Sequence, residues 1–489
     1  MTVSNEAQIE GAAKFRSQVR SAVIWRSGTQ IFSQLTAWAA TFLVMRMLPL
    51  SDYGLFAMTS TVLVLLGMLN GYGFANAAIQ DQNCTEHKLR QLFGLLIIVN
   101  AVLAAAQYIA APWVADYYNE PRVADLLRVQ TLIYLTNPFL ALGYAVLSRQ
   151  MDFRRQAQVN MASALLGAVT ALVGAFSGWG VWTLIAAPLA TFVSRAAGMM
   201  VAARAWYWPS FDFKGARGLA DYGGIVMSGQ IFWFLQTQSD IVIAGRVLGK
   251  EELGLYTVSL FLAQIFVTKV VPPLNEVAFS AYARIQDDRS AIGAGFLKSV
   301  RVIMLLAMPF CMGMAATSEP LVQTMLGEDK AVAAPIVALL ALAMPFMTLH
   351  VLFAPATNAC GRPGIATRAS ILGTLVMPAF YYIGVQYGVL GLAAAWLASY
   401  PVLTAISAAW SLPVIGLKAN DLIRALSAPV LAGIAMAVSV VLLDRAMPAM
   451  PDVARLALLV CAGGAIYGGW LLAFARDRLD EARNLILKR

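Results

Sequence analysis

Of the 489 residues, 60% are hydrophobic and only 12% charged, and the mean hydropathy is +0.69. A soluble domain is about a quarter charged and a disordered chain is poor in apolar residues, so both classes are excluded. The net charge of +9 reads as Lys and Arg gathered in the cytoplasmic loops of a membrane protein, not as a nucleic-acid surface. The two histidines, His87 and His350, and the four cysteines, Cys84, Cys311, Cys360 and Cys461, are scattered, which supports neither a zinc site nor a disulfide framework.

A bilayer crossing takes about 20 apolar residues. The polar N-terminal stretch with Lys14, Arg16 and Arg20 leads into an apolar run too long for a signal peptide. Crossings are expected near 22–47, 54–76, 91–112, 124–148, 157–177, 181–203, 222–247, 254–274, 293–317, 331–355, 364–385, 388–412, 425–444 and 455–475. The expected fold is therefore all-α and polytopic, with about fourteen transmembrane helices. One alternate set of connections is rich in cations: Lys88 and Arg90, Arg149, Arg154 and Arg155, Arg204, Lys214 and Arg217, Arg284 and Arg289, Arg362 and Arg368, Lys418 and Arg424, and Arg476 onward. The other set holds Arg46, Arg122, Arg246, Lys250, Lys330, Arg445 and Arg455. The positive-inside bias makes the first set, and with it both termini, cytoplasmic. Trp113, Tyr117 and Tyr118, and Trp206, Tyr207, Trp208 and Phe211, read as interfacial aromatic belts.

The chain repeats itself. At a shift of 200, Gln30-Ile31-Phe32 matches Gln230-Ile231-Phe232, Leu35 matches Leu235, Arg46 matches Arg246, Leu48 matches Leu248, and Gly54-Leu55 matches Gly254-Leu255. A second echo pairs Ile79-Gln80-Asp81 with Ile285-Gln286-Asp287, and a weaker one pairs Gly180 with Gly391. Two six-helix lobes follow, an N-terminal lobe within 1–203 and a second at 222–412, joined by a cytoplasmic linker at 204–221. Helices 13 and 14 and the tail occupy 413–489. Six is even, so the lobes share one orientation, and parallel repeats of this kind are a transporter device.

Charges inside a crossing cost about 2.5 kcal/mol or more and face a cavity or a partner. Arg26, Lys269, Arg301, Arg195 and the matched Arg46 and Arg246 make a mainly cationic set suited to an anion such as phosphate. For Arg46, Arg246, Lys269 and Arg195, snorkelling to headgroups is an equal alternative. Asp125 and Arg128, three apart, can pair along their own helix. Asp240 lies in a polar stripe with Gln236, Gln238 and Ser239, and the matched helix carries Ser27, Thr29, Gln30, Ser33, Gln34 and Thr36. Both stripes are expected to face a shared water-filled cavity.

The turn Leu48-Pro49-Leu50-Ser51-Asp52-Tyr53-Gly54-Leu55 and its counterpart from Leu248 to Tyr256 resemble the signature after the first helix of polysaccharide flippases. Gly71-Tyr72-Gly73-Phe74, Ala283-Arg284-Ile285-Gln286-Asp287-Asp288 and Asn358-Ala359-Cys360-Gly361-Arg362-Pro363 are similar to that family too. The chain thus resembles the polysaccharide transporter (Wzx-type) branch of the multidrug/oligosaccharidyl-lipid/polysaccharide exporter superfamily. The resemblance implies a non-enzymatic flippase in the bacterial inner membrane. It would carry undecaprenyl-diphosphate-linked oligosaccharide from the cytoplasmic to the periplasmic leaflet for O-antigen, capsule or exopolysaccharide, with a polysaccharide polymerase as partner.

Combined with the intramembrane charges, this gives an alternating-access expectation. Arg26, Arg301 and Lys269 hold the diphosphate, Arg46 and Arg246 assist at the helix ends, and Gln30, Gln34 and Gln230 line the sugar's path. Asp240 couples transport to protons or sodium, or is a static ion pair with a cavity arginine. No cofactor is expected. The rival readings are a cation antiporter of the same superfamily, which the basic set disfavours, and a lipid II flippase. A membrane polymerase is a third, and it would need a larger non-cytoplasmic loop than the stretch around 318–330.

Overall fold

In a bilayer every backbone polar group must be satisfied within the protein, which helices do along their own length. The computed structural model describes residues 33–70, 74–75, 78–79, 84–212, 217–285, 288–448 and 450–476, with the side chains of 217–230 excepted. All regular structure among these residues is helical. Twelve helical spans among them are long and apolar enough to cross a membrane. The chain is a multi-pass helical membrane protein. Of two further expected crossings, 22–47 falls partly outside the described residues, and 222–247 lies within them apart from the side chains of 222–230. Their described parts are helical, as α1 (residues 33–47) and α8 (Arg217–Val247).

The helices divide into two compact units, Met1–Ile231 and Phe232–Arg489. In the first, α2 (Leu50–Gly67) is followed by α3 (Glu86–Tyr118), α4 (Arg122–Gln130), α5 (Leu132–Arg149), α6 (Phe153–Phe176) and α7 (Val181–Ala203). Thr85 caps α3 by accepting from Lys88 N, and Asp152 caps α6 by accepting from Arg155 N. The core joins α3, α5 and α7 through Leu92, Phe93, Leu96, Leu142, Val146 and Met199. Gly143 permits this closeness, since a Cβ there would stand 2.8 Å from Met199.

Two expectations for this unit change in detail. The fourth crossing is broken at Thr131, and its first piece, α4, is amphipathic. Asp125 and Arg128 pair on its exposed side at 3.5 Å, as their spacing allows. The break is covered by buried Gln107, whose amide donates to Leu127 O at 2.8 Å. The start of the 204–221 segment is docked on α3: Ser210 N donates to Arg90 O (2.9 Å), Arg90 Nε to Trp208 O (3.0 Å) and Gln91 Nε2 to Asp212 O (2.6 Å).

The second unit holds α9 (Lys250–Lys269), α10 (Val271–Ala283), α11 (Arg289–Ala316), α12 (Ser318–Leu326), α13 (Ala334–Ala359), α14 (Gly364–Val385) and α15 (Gly388–Ile415). It ends with α16 (Ala419–Ala446) and α17 (Asp452–Phe474). The expected eighth crossing, 254–274, divides at Val270, because Pro272 and Pro273 lack the donors a continuous helix needs. The stretch around 318–330 is helical: α12 and a 3₁₀ segment, Glu328–Ala333. Apolar on all sides, α13 sits at the centre of the unit, against α9, α10, α11 and α15. The C-terminal pair is not peripheral to the packing: Met436, Val440 and Tyr467 share a core with Leu305 of α11, and Tyr467 OH donates to Leu305 O.

The internal repeat appears in backbone geometry. Pro49 and Gly249, which precede α2 and α9, have φ/ψ of −68°/152° and −69°/167°, and Leu48 and Leu248 before them are both buried. The pairing of Gly180 with Gly391 is corrected. Gly180 and Gly388 are the glycines with left-handed φ, +57° and +73°, at the starts of α7 and α15. The buried Val181 and Val389 follow them. Gly391 is helical and serves another purpose, close packing on α14.

Candidate functional site

A polar group placed inside an apolar bundle is retained only where it meets a partner or a cavity. In unit 1 such groups line a cavity of about 390 Å³. α1 contributes Ser33 and Gln34, α5 Tyr144, α6 Gln156 and Asn160, and α7 Arg195. α1, α6 and α7 thus place a guanidinium, three amides and a hydroxyl around one space, a set that can bind anionic and hydroxyl-rich groups. Gln34, one of the expected residues, lines this cavity. The sequence reading of Arg195 is that of an intramembrane cation with snorkelling as an equal alternative; its position eight residues before the end of α7 is the signal that raises it. Gln156 and Asn160, at i and i+4, were missed because a polar pair near a helix start looks like a solvated end.

In unit 2 the polar stripe of α8 is packed inward. Asp240 is fully buried, and Gln236 and Ser239 are 5% and 6% exposed. This corrects the expectation that the stripe faces a water-filled cavity. Tyr256 of α9 donates its hydroxyl proton to Asp240 Oδ2 at 2.6 Å, and Trp396 Nε1 of α15 donates to the same tyrosine oxygen at 2.6 Å. Among the described residues the side-chain partner of the carboxylate is this hydroxyl, and Arg26 lies outside them. Tyr381 and Tyr400 flank the indole, with ring centroids 5.8 and 5.0 Å away. Gln236 Oε1, Ser239 Oγ and Asp240 Oδ1 have no hydrogen-bond partner among the described residues. Spaced i, i+3 and i+4, they share one face of α8, so three buried acceptor atoms are concentrated there.

The other expected residues are distributed. Arg26 and Gln30 lie outside the described residues, as does the side chain of Gln230. Arg46 and Arg246 are exposed in the last turns of α1 and α8, and Lys269 is exposed at the α9–α10 break. Arg301 is half-buried in the middle of α11. Of the expected binding set, Gln34 is the residue that lines the unit 1 cavity among the described residues.

Comparison with known proteins agrees with this architecture. The chain is 27% identical over 369 residues to the succinoglycan biosynthesis transport protein ExoT of Rhizobium meliloti (strain 1021), covering 75% of this chain and 74% of that protein. It is 26% identical over 404 residues to the teichuronic acid biosynthesis protein TuaB of Bacillus subtilis (strain 168), covering 81% of this chain and 83% of that one. Among solved structures, the lipid II flippase MurJ in an inward closed conformation matches with a TM-score of 0.74 at 13% identity, covering 93% of this chain and all of that one. That likeness shows a shared fold. Residues 43–335, more than half of the chain, match the model of the polysaccharide biosynthesis protein family, and the chain belongs to that family.

Proposed function

We propose that the protein is a flippase that carries undecaprenyl-diphosphate-linked oligosaccharide from the cytoplasmic to the periplasmic leaflet of the bacterial inner membrane, by alternating access. It is not an enzyme, both its termini are cytoplasmic, and the product goes to a polysaccharide polymerase. The observation that carries this reading is a polar, arginine-bearing cavity set in a membrane-spanning helical unit of a polysaccharide biosynthesis family member. A relative named as a succinoglycan transport protein supports it. Arg26, Arg301 and Lys269 hold the diphosphate in this reading, and Arg195 joins them. Gln34 and Asn160 meet sugar hydroxyls.

Asp240 is the coupling site for a proton or sodium ion. Its support is the cluster of three buried oxygens that have no hydrogen-bond partner among the described residues, an arrangement that a bound cation or an added proton satisfies. The carboxylate would alternate between loaded and empty while Tyr256 holds it in place.

Deletion of the gene with complementation tests the main reading. Surface polymer should be lost while lipid-linked repeat units accumulate in the inner leaflet. Normal polymer, with altered drug sensitivity alone, would move the protein to the antiporter class. Arg26→Ala and Arg301→Ala should each reduce export, and full export by both removes the diphosphate assignment. Asp240→Asn should abolish the ion dependence of transport. Unchanged transport with unchanged ion dependence would sink the coupling role.

A further inference from the structure

Three turns of unit 1 meet at one place. The Leu48-Pro49 turn opens α2, Pro121 precedes α4, and Gly180 opens α7. Residues beside them line a second cavity of about 310 Å³: Asp52, Arg122, Asp125, Trp179, Gly180 and Trp182. Asp52 is 7% exposed. Its carboxylate reaches the cavity because residue 180 has no side chain; a Cβ there would stand 3.2 Å from Asp52 Oδ2. Arg122 is exposed in the first turn of α4, and the Asp125 carboxylate is 70% exposed beside it. Two large rings, Trp179 and Trp182, are left 44% and 42% exposed at the rim.

A sugar ring has one face of C–H bonds and an edge of hydroxyl groups. An aromatic ring covers the first, and carboxylates and a guanidinium take the second. Small-molecule sites characteristically join an apolar wall to a small number of converging polar groups. The fold itself does not require these residues. With Gly180 matched to Gly388, the counterpart of Trp179 is Tyr387 and that of Trp182 is Leu390. The counterpart of Asp52 is Glu252, which is exposed instead of buried. A headgroup belt explains exposed tryptophans, but not a buried Asp52 that lines the same cavity as they do.

We propose that this cavity binds a sugar residue of the translocated oligosaccharide at the non-cytoplasmic end of unit 1, after the glycan has crossed. The identity of the sugar's carrier rests on the flippase reading; the sugar site itself rests on the cavity. The test uses the full-length protein in nanodiscs of phosphatidylethanolamine and phosphatidylglycerol. The probe is the free oligosaccharide released by mild acid from the host's lipid-linked pool, and binding is read by saturation-transfer NMR and by tryptophan emission. The wild type should bind it. Trp179→Ala and Trp182→Ala should each weaken binding on the order of tenfold, while Trp182→Phe keeps most of the affinity. Trp113→Ala, which removes an exposed ring outside the cavity, should leave binding unchanged. Melting curves of each variant separate lost binding from lost folding. Unchanged affinity in both alanine variants overturns the site. So does a cavity that responds to excess phosphatidylglycerol headgroup and not to sugar. If deletion of the gene blocks export but the purified protein shows no sugar response, this site fails and the flippase reading stands. Normal export on deletion, with sugar binding that depends on both tryptophans, reverses that result.

Discussion

A carboxylate within a hydrocarbon slab must be neutralised, paired or solvated, and Asp240 accepts the hydroxyl proton of Tyr256. Tyr256 is the hinge of that arrangement, because its oxygen both donates to Asp240 and accepts from Trp396. Tyr256→Phe leaves two buried polar groups without their shared partner, a loss of about 1–3 kcal/mol each at most. Thermal unfolding of the purified variant should fall accordingly, and an unchanged melting curve would show that the bridge holds nothing. The charge at 240 was legible in the sequence as an ionisable residue amid apolar ones. Its partners were not, since Trp396 is 156 positions away and nothing in local pattern links the two. Gly180 shows the same limit. The echo with the second half was visible, but the correct counterpart, Gly388, is identified by a left-handed backbone that composition does not display.

At the scale of elements, the helix pairs depend on glycines placed where backbones approach. α14 and α15 cross at Gly384 and Gly391, and a Cβ on Gly384 would stand 2.8 Å from Ala395 Cβ and 3.1 Å from the Gly391 carbonyl carbon. Gly384→Leu should force the pair apart, and membrane abundance of the variant should drop several-fold; Gly468→Leu, where nothing lies within 4 Å, is the control. The last hairpin is fastened differently. Arg455 of α17 donates to Asp444 of α16 from Nε at 2.6 Å and from NH2 at 2.8 Å. A two-point charge-assisted contact of this kind is stronger than a neutral hydrogen bond. Asp444→Asn should lower the melting temperature by the equivalent of about 1–2 kcal/mol, and by less at high salt. Arg455 was legible as a charge in one of the cation-poor connections. That it and Asp444 join their two helices was not, because a hairpin of this length brings together residues eleven apart only once its loop geometry is set.

For the whole molecule, the orientation argument makes a direct prediction. Cys84 and Cys360 both lie in connections rich in cations, and both are partly accessible. A membrane-impermeant thiol reagent should label them in inverted vesicles and spare them in intact cells. Burial pushes the Cys360 thiol pKa up, with Arg289 opposing it. The thiolate is the reactive form, so labelling at Cys360 should be slow at neutral pH and accelerate as pH rises. Labelling from outside intact cells would reverse the assigned orientation. The chain's sequence alone determined the solvent it lives in, the alternation of its loops and the repeat of its helices, because these follow from hydropathy and charge summed over whole segments. The tertiary structure decided which polar residues meet. It buried the α8 stripe against Tyr256, gathered Arg195, Gln34 and Asn160 around one cavity, and brought three distant turns to another. Helix rotation and crossing set those meetings, and both depend on packing between segments that are far apart in the chain.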